Sequence, residues 1–354
     1  MQLPEDEKWM RLALAEARHG IGLTSPNPAV GAVLVKEGRL IGQGWHHRVG
    51  LPHAEVEALR NAEANGHGAE IRGATAYVTL EPCSTHGRTG ACTVALAKAG
   101  VSRVVYGATD PNPGHAGAAD RLLQEAGIAV LSGVLREECE EVLRPFAKWI
   151  TTGLPYVVAK AGQSLDGRLT RPPGESQWIT SEVSRAHAMQ LRVQSDAILI
   201  GAETLRRDNP RLTLRGDAVP EGKIQPWRVV VTRGGDLPKG ANLFNDEFKE
   251  RTLVLEGERC FPEILQELAA RGITSVLLEC GGNLLGQAFA AGAVDEVCWY
   301  IAPRICGGGT MAVGGLDFAR GAKSVELEKA RVEVLGSNVC VRGLVVRQVA
   351  EKAG

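Results

Sequence analysis

His53-Ala-Glu55, Pro82-Cys83 and Cys92 are the residues of this sequence whose types and spacing could carry chemistry of their own. One imidazole and two thiolates suit a tetrahedral Zn2+ whose fourth position is left for water, and a carboxylate two residues from the histidine can move that water's proton. Such a set makes a hydrolytic zinc centre. Taken singly each residue says little, since a lone histidine is commonly a satisfied polar residue and a free cysteine a small buried hydrophobe. The order His-x-Glu, Pro-Cys, Cys carries the reading.

These residues need elements to hold them. Residues 5–18 place Trp9, Ala13 and Ala17 on one face, with Met10 and Leu14 beside them, and stop at Gly20, which predicts a helix. Residues 30–35 and 40–45 flank Lys36-Glu-Gly-Arg39 and predict an antiparallel hairpin. Helical composition over 54–65, 91–99 and 120–126 alternates with strand-like 75–80, 103–107 and 128–134, which predicts a mixed sheet covered by helices. His53 and Glu55 then fall on the first turn of a helix, Cys83 on a loop after a strand, and Cys92 at the start of the next helix. Helix N-termini favour thiolate over thiol and so help metal binding.

Around residues 144–155 the pattern changes, and Thr151-Thr-Gly-Leu-Pro155 has linker chemistry, so domains are expected at 1–148 and 149–354. Beyond the linker, strands are expected at 156–159, 197–200, 228–231, 252–255, 276–279, 296–301 and 339–346, with helices at 182–194, 263–270 and 284–290. This is a second α/β domain that does not repeat the first.

A chain of 354 residues fits two domains of ordinary size. Its 40 basic and 41 acidic residues give a net charge of -1, with no basic run of the kind that holds a polynucleotide, so a small-molecule substrate is favoured. The acidic start Gln2-Leu3-Pro4-Glu5-Asp6 and the absence of a long apolar run argue against a secretory leader and a membrane span, and for the cytoplasm. Eight cysteines in such a chain are expected to be reduced thiols and metal ligands. Seven of the eight histidines lie at or before His115, so the second half must work by other means. Homo-oligomerisation stays open.

General zinc deaminases close their signature with Cys-x-x-Cys, whereas eight residues separate Cys83 from Cys92. Further motifs are Pro26-Asn-Pro-Ala-Val-Gly31, Gly44-Trp-His46, Thr79-Leu-Glu-Pro-Cys-Ser84, Gly87-Arg-Thr89 and Asp110-Pro-Asn-Pro113. The second half adds Lys160-Ala-Gly-Gln-Ser-Leu-Asp-Gly-Arg168, Gly174-Glu-Ser-Gln-Trp-Ile-Thr180, Gly201-Ala-Glu-Thr-Leu205, Asp208-Asn-Pro210 and Glu279-Cys-Gly-Gly-Asn-Leu-Leu-Gly286. With these, nearly the whole chain resembles the bifunctional riboflavin-biosynthesis deaminase-reductases. The resemblance implies an N-terminal cytidine-deaminase-like three-layer α/β domain with a mixed sheet and a C-terminal dihydrofolate-reductase-like domain. The family usually reads Cys-Ser-His-x-Gly-Arg-Thr-Pro-Pro-Cys, and here Thr85 replaces the histidine and Gly90-Ala91 the two prolines.

By this resemblance, Zn2+ held by His53, Cys83 and Cys92 activates water, and Glu55 shuttles protons. The amine of 2,5-diamino-6-(5-phosphoribosylamino)pyrimidin-4(3H)-one then leaves as ammonia. Asn27 and His46 would orient the ring, with a turn-forming asparagine the competing reading for Asn27, and Arg88 would reach the phosphate unless it is an ordinary loop arginine. The second domain would transfer hydride from NADPH and convert the ribosyl to a ribityl group. Gly162, Trp178, Thr204, Asp208, Gly281, Gly282, Asn283, Leu284, Leu285, Gly286 and Gln287 would line the NADPH site, although Trp178 reads equally well as core. Ser176, Arg192, Leu212, Arg215 and Glu279 would contact substrate, and Lys160 the opened ribose carbonyl. Two alternatives stand beside this reading: a nucleic-acid-editing zinc deaminase with an appended domain, which 5% aromatics and near-neutral charge disfavour, and a non-catalytic zinc scaffold, which would not need Glu55. Gly307-Gly-Gly309 reads as a loop of unassigned purpose.

Overall fold

The computed structural model describes residues 3–84, 90–115, 117–175, 178–216, 219–315 and 324–346. The chain divides into two compact units, Met1–Gly153 and Leu154–Gly354. No helix among the described residues is long and apolar enough to cross a membrane.

The first unit runs α1 (Leu3–His19), β1 (Gly31–Lys36), β2 (Arg39–Trp45), α2 (Ala54–Ala64), β3 (Thr75–Leu80), α3 (Cys92–Ala99), β4 (Arg103–Ala108), α4 (Ala118–Glu125), β5 (Ala129–Ser132) and α5 (Arg136–Thr152). Its sheet has the order β2-β1-β3-β4-β5. β1 is antiparallel to β2 and β3, and β3, β4 and β5 are parallel, which is the mixed sheet expected. The central strands are buried along nearly their whole length, so both faces must be covered. The stripe of α1 buries Trp9, Met10, Ala13, Leu14 and Ala17. α2 lies against β2 because Gly42 and Gly44 have no side chains: a Cβ on Gly44 would stand 2.6 Å from Ala58 N, and one on Gly42 2.5 Å from Ala58 O. That close seat fixes the helix whose first turn carries Glu55.

α1 is also tied to the sheet by charge. Arg103 of β4 grips the buried Asp6 carboxylate through both terminal nitrogens, at 2.8 and 2.9 Å, and the Tyr77 hydroxyl donates to the same group at 2.8 Å. At the other end of the unit, α5 runs through Pro145 to Thr152. Thr151 and Thr152 were expected in a linker but belong to this helix, where their hydroxyls donate back to Ala147 O and Lys148 O. Residue 148 therefore lies inside α5, and the structural division falls at the helix end.

The second unit runs β6 (Tyr156–Ser164), α6 (Glu182–Gln194), β7 (Ala197–Gly201), α7 (Ala202–Asp208), β8 (Trp227–Thr232), α8 (Asn242–Asn245), β9 (Thr252–Glu256), α9 (Phe261–Ala270), β10 (Ser275–Leu278), α10 (Gly282–Ala290), β11 (Glu296–Ala302), β12 (Leu327–Leu335) and β13 (Asn338–Val345). The eight strands are ordered β12-β13-β11-β6-β10-β7-β8-β9. From β11 to β9 every neighbour is parallel, and β13 and β12 add an antiparallel edge. Runs such as Ala197-Ile-Leu-Ile200 are apolar on both faces, as buried parallel strands require. The carboxyl ends of β6, β10 and β7 lie side by side, the edge at which open α/β sheets receive ligands. The short helices α7 and α8 and the exposed edge strand β12 were not anticipated from the sequence.

Candidate functional site

His53 is the N-cap of α2, Cys83 follows β3 by a short turn, and Cys92 opens α3. Three separate elements thus deliver three ligand atoms. His53 Nδ1 lies 3.5 Å from Cys83 Sγ and 3.3 Å from Cys92 Sγ, and all three atoms fall within 4.8 Å of one another. The Cys92 amide at the start of α3 donates to Cys83 Sγ at 3.3 Å, so the helix terminus already favours a thiolate there. A hydrogen bond from the Cys92 side chain, more than its amide, pulls the Cys83 thiol down to about 4, with the His53 imidazole helping, and the same thiol–thiol bond pushes Cys92 upward. Hydrogen bonding to Cys83 also raises His53. Two sulfurs and one imidazole nitrogen converging in a largely buried spot are the donor set that a tetrahedral zinc ion takes.

Glu55 sits one residue inside α2, 4% exposed. Burial pushes its carboxyl up to about 7, and the neighbouring Cys83 thiolate adds to this against the opposing pull of His53. A cation beside it acts in the opposite direction. The group is close to the ligands and is not one of them, which is the placement of a general acid/base.

Asn27 and His46 are joined to this centre. The buried His46 ring stands edge-on to His53 with centroids 5.3 Å apart. Its Nδ1 lies 3.0 Å from Pro52 O and its Nε2 3.1 Å from Asn27 Nδ2. A carbonyl acceptor on one nitrogen and an amide donor on the other fix one neutral tautomer, and burial lowers the pKa in the same sense. Arg88, together with Thr85, lies outside the described residues.

One residue of this centre was not singled out in the sequence. Glu81 is buried after β3 and accepts from the backbone N–H groups of Asp110, Gly117 and Ala119, each at 3.1 Å. It ties the 110–119 loop to the strand that leads to Cys83. Its partners are main-chain groups, so neither their identity nor their spacing could reveal it.

In the second unit, Lys160 of β6, Arg192 of α6 and Glu279 at the end of β10 meet. Arg192 Nε and Nη2 contact the two oxygens of Glu279 at 2.6 and 3.0 Å, and Lys160 Nζ lies 3.6 Å from Oε2. Burial alone would raise the Glu279 carboxyl, but Arg192 and Lys160 hold it down at about 2. The result is a fixed, ionised carboxylate flanked by two cations at the carboxyl edge of the sheet.

Around that edge, Gly162 lies on β6 opposite Tyr300, and Thr204 lies on α7. Gly201 at the end of β7 stands close to Leu284, with a hypothetical Cβ 3.4 Å from Leu284 Cδ2. Gly281 caps α10, and a Cβ there would meet open space. Such an open cradle at a helix N-terminus fits a dinucleotide's pyrophosphate. Asn283 and Gln287 are exposed and Leu284 half-buried. Leu285 points into the core, and Gly282 and Gly286 are covered by protein backbone, so these three shape the cradle from behind. Trp178 is 49% exposed under the Arg185 guanidinium, not in the core. Asp208 and Arg215 are exposed. The Leu212 side chain is buried with Ile198 and Leu205, so only its backbone, at φ 51°, is available to a ligand. Ser176 lies outside the described residues.

Known proteins share both halves. Residues 3–108 match the cytidine and deoxycytidylate deaminase zinc-binding region, and residues 155–341 match the RibD C-terminal domain. The chain is 39% identical to the riboflavin biosynthesis protein RibD of Escherichia coli (strain K12), over 95% of this chain and 98% of that protein. The identity to RibD of Aquifex aeolicus (strain VF5) is 38%, over 95% and 97%. Among solved structures, Acinetobacter baumannii RibD, form 1, has a TM-score of 0.86 at 36% identity, covering 98% of this chain and 100% of that one. The diaminohydroxyphosphoribosylaminopyrimidine deaminase/5-amino-6-(5-phosphoribosylamino)uracil reductase of Thermotoga maritima has a TM-score of 0.87 at 32% identity, with the same coverage.

Proposed function

Because this chain belongs to the RibD family of bifunctional riboflavin-biosynthesis proteins, we propose that its two sites carry out successive steps on one pyrimidine ribosyl phosphate. The chain is a zinc-dependent deaminase joined to an NADPH-dependent reductase, with a cytidine-deaminase-like first unit and a dihydrofolate-reductase-like second unit. The observation that carries the residue assignment is the convergence of His53, Cys83 and Cys92 beside the buried Glu55.

In the first unit His53, Cys83 and Cys92 would hold Zn2+. When bound, the ion supplies Lewis-acid activation of water at neutral pH. Glu55 accepts a proton from the attacking water and returns it to the departing amino group, which leaves as ammonia. The neutral His46, bonded to Pro52 O and to the Asn27 amide, fixes Asn27, which presents its remaining amide groups to the pyrimidine, and Arg88 is assigned to the phosphate. A zinc scaffold would gain nothing from a buried carboxylate that ligates no metal, which supports catalysis over a structural role.

In the second unit NADPH supplies hydride. We assign its pyrophosphate to the N-terminus of α10 at Gly281 to Gln287, and the rest of the cofactor to Gly162, Trp178, Thr204 and Asp208. Glu279, holding the Nε–Nη2 side of Arg192, orients the remaining N–H groups of the guanidinium toward the ribose phosphate, alongside Arg215, Ser176 and the backbone of Leu212. Lys160, 3.6 Å from Glu279, donates to the carbonyl oxygen of the opened ribose. The net charge of -1 supports a small substrate over a polynucleotide. All eight cysteines are free, which supports a reducing, cytoplasmic setting.

The test is to supply the diaminopyrimidinone ribosyl phosphate with and without NADPH, measuring ammonia and cofactor oxidation separately. Ammonia is expected in both cases, and NADPH oxidation follows deamination. Ammonia without any NADPH oxidation overturns the assignment of the second unit, and absence of both overturns the whole reading.

A further inference from the structure

Asp166 stands on the turn that ends β6, and its carboxylate gathers donors from two loops. Oδ1 accepts from the Ser164 hydroxyl at 2.5 Å and from Cys306 N at 2.9 Å, while Oδ2 accepts from Gly307 N at 2.7 Å. Ser164 foremost, with the two amides, holds the carboxyl down at about 2, so it is ionised at any working pH. The two loops are then laced together. Leu165 N donates to Arg304 O at 2.7 Å, Leu169 N to Thr310 O at 2.8 Å and Ala312 N to Gly167 O at 2.9 Å. Thr310 N donates to Thr170 Oγ1 at 3.0 Å, and an antiparallel bridge joins Arg168 to Met311. Residues 304–314 thus form a strap anchored at one end by Asp166.

The other end of the strap lies on α10. Gly314 N donates to Gly282 O at 2.9 Å. A Cβ on Gly282 would overlap the Met311 carbonyl oxygen, and one on Gly286 would overlap that of Gly314. Only glycine at both helix positions lets the strap lie this close. Gly281, by contrast, faces open space. The strap therefore backs the first two turns of α10 on one side and leaves the helix terminus open on the other.

We propose that Asp166 is a positioning residue of the reductase, pinning the 304–314 strap against α10 and so fixing the helix terminus that receives NADPH. This rests on the cofactor assignment made above. Without the carboxylate, the Cys306 and Gly307 amides lose their acceptor, and the strap keeps only its backbone lacing. The turns of α10 carrying Gly282 and Gly286 then lose a firm backing, and the cofactor must order them as it binds.

The experiment compares full-length wild type, Asp166→Asn and Gly309→Ala by calorimetric NADPH titration, amide hydrogen exchange and the two turnover assays. Gly309 has φ 94°, and a Cβ there would overlap Thr170 Oγ1, so alanine loosens the strap without touching Asp166. Both variants should bind NADPH about tenfold more weakly, the scale of losing charge-assisted hydrogen bonds that order the site. Amides of 304–314 and of the first turns of α10 should exchange faster, and KM for NADPH should rise while kcat at saturating cofactor and ammonia release stay near wild type. Unchanged NADPH affinity in both variants overturns the positioning role and leaves the cofactor assignment standing. So does a fall in kcat and melting temperature at unchanged affinity. Wild type that does not bind NADPH overturns the assignment, and the inference with it. If Asp166→Asn does not fold, Gly309→Ala decides by the same criterion.

Discussion

In the proposed deamination Glu55 separates chemistry from metal binding, because it lies beside the three candidate ligand atoms and supplies none of them. Glu55→Gln keeps the shape of the side chain and removes its ability to take a proton. Zinc content, measured by metal analysis, should stay at the wild-type level. Ammonia release should fall by about two to four orders of magnitude, the contribution of a positioned general acid/base. Ammonia release that survives in a zinc-loaded Glu55→Gln variant would remove Glu55 from the mechanism. On the reductase side, Arg192→Lys replaces a planar fork with a point charge, so Glu279 loses its paired contacts at 2.6 and 3.0 Å. KM for the pyrimidine in the reduction should rise about tenfold with ammonia release untouched. The zinc ligands were legible in the sequence because imidazole and thiolate types announce their own chemistry. The Lys160, Arg192 and Glu279 cluster was reached only through family resemblance, since the three come from different elements and each alone is an ordinary charged residue. Glu81 stands within the Thr79–Ser84 motif, but its role was not legible, its partners being backbone amides.

At the scale of elements, the helix and strand pattern was readable wherever one face is buried. The stripe on α1 and the apolar runs of β7, β8 and β10 are direct imprints of the sheets they cover or build. β12 carried no such imprint: it is an edge strand exposed along most of its length, with Val332 and Val334 facing solvent among charged neighbours. The end of α5 was not legible because Thr151 and Thr152 have linker chemistry, yet they belong to the helix, which also carries Pro145 in its interior. The Asp6–Arg103 tie gives α1 a pH signature. Burial raises the Asp6 carboxyl, but Arg103 and Tyr77 outweigh it and leave the group below its ordinary value. A depressed folded pKa contributes stability that is complete above the unfolded value of about 3.9 and is lost as pH falls through the folded one. Urea unfolding of wild type should therefore weaken between about pH 4 and lower values, with Asp6→Asn showing a flatter profile there. Arg103→Ala leaves the buried carboxylate without its cation and should cost roughly 3 kcal/mol near neutral pH, the lower end for such a loss because Arg103 is partly exposed. An equal acid slope in wild type and Asp6→Asn would assign the titration to other groups.

At the scale of the whole molecule, every residue assigned to deamination lies before Gly153, and every residue assigned to reduction lies after Leu154. The chemistries are independent too: one needs a metal-ligating set and a proton carrier, the other a cofactor cradle and a cation-flanked carboxylate. If the two sites share only a diffusing intermediate, chains disabled in opposite halves should rescue each other. Full-length Glu55→Gln, given the diaminopyrimidinone and NADPH, should consume almost no cofactor because it makes no deaminated intermediate. Supplied with that intermediate directly, it should oxidise NADPH at the wild-type rate. Full-length Arg192→Ala should release ammonia normally and reduce poorly. Mixing the two variants should restore NADPH oxidation after a lag that shortens as the Arg192→Ala chain is increased, since that chain sets the supply. Chelation of zinc should reproduce the Glu55→Gln pattern in wild type, removing ammonia release while reduction of supplied intermediate persists. A mixture that stays silent while each variant retains its own half-reaction would mean that the intermediate does not pass freely between chains, and the two units would then have to act on it within one molecule.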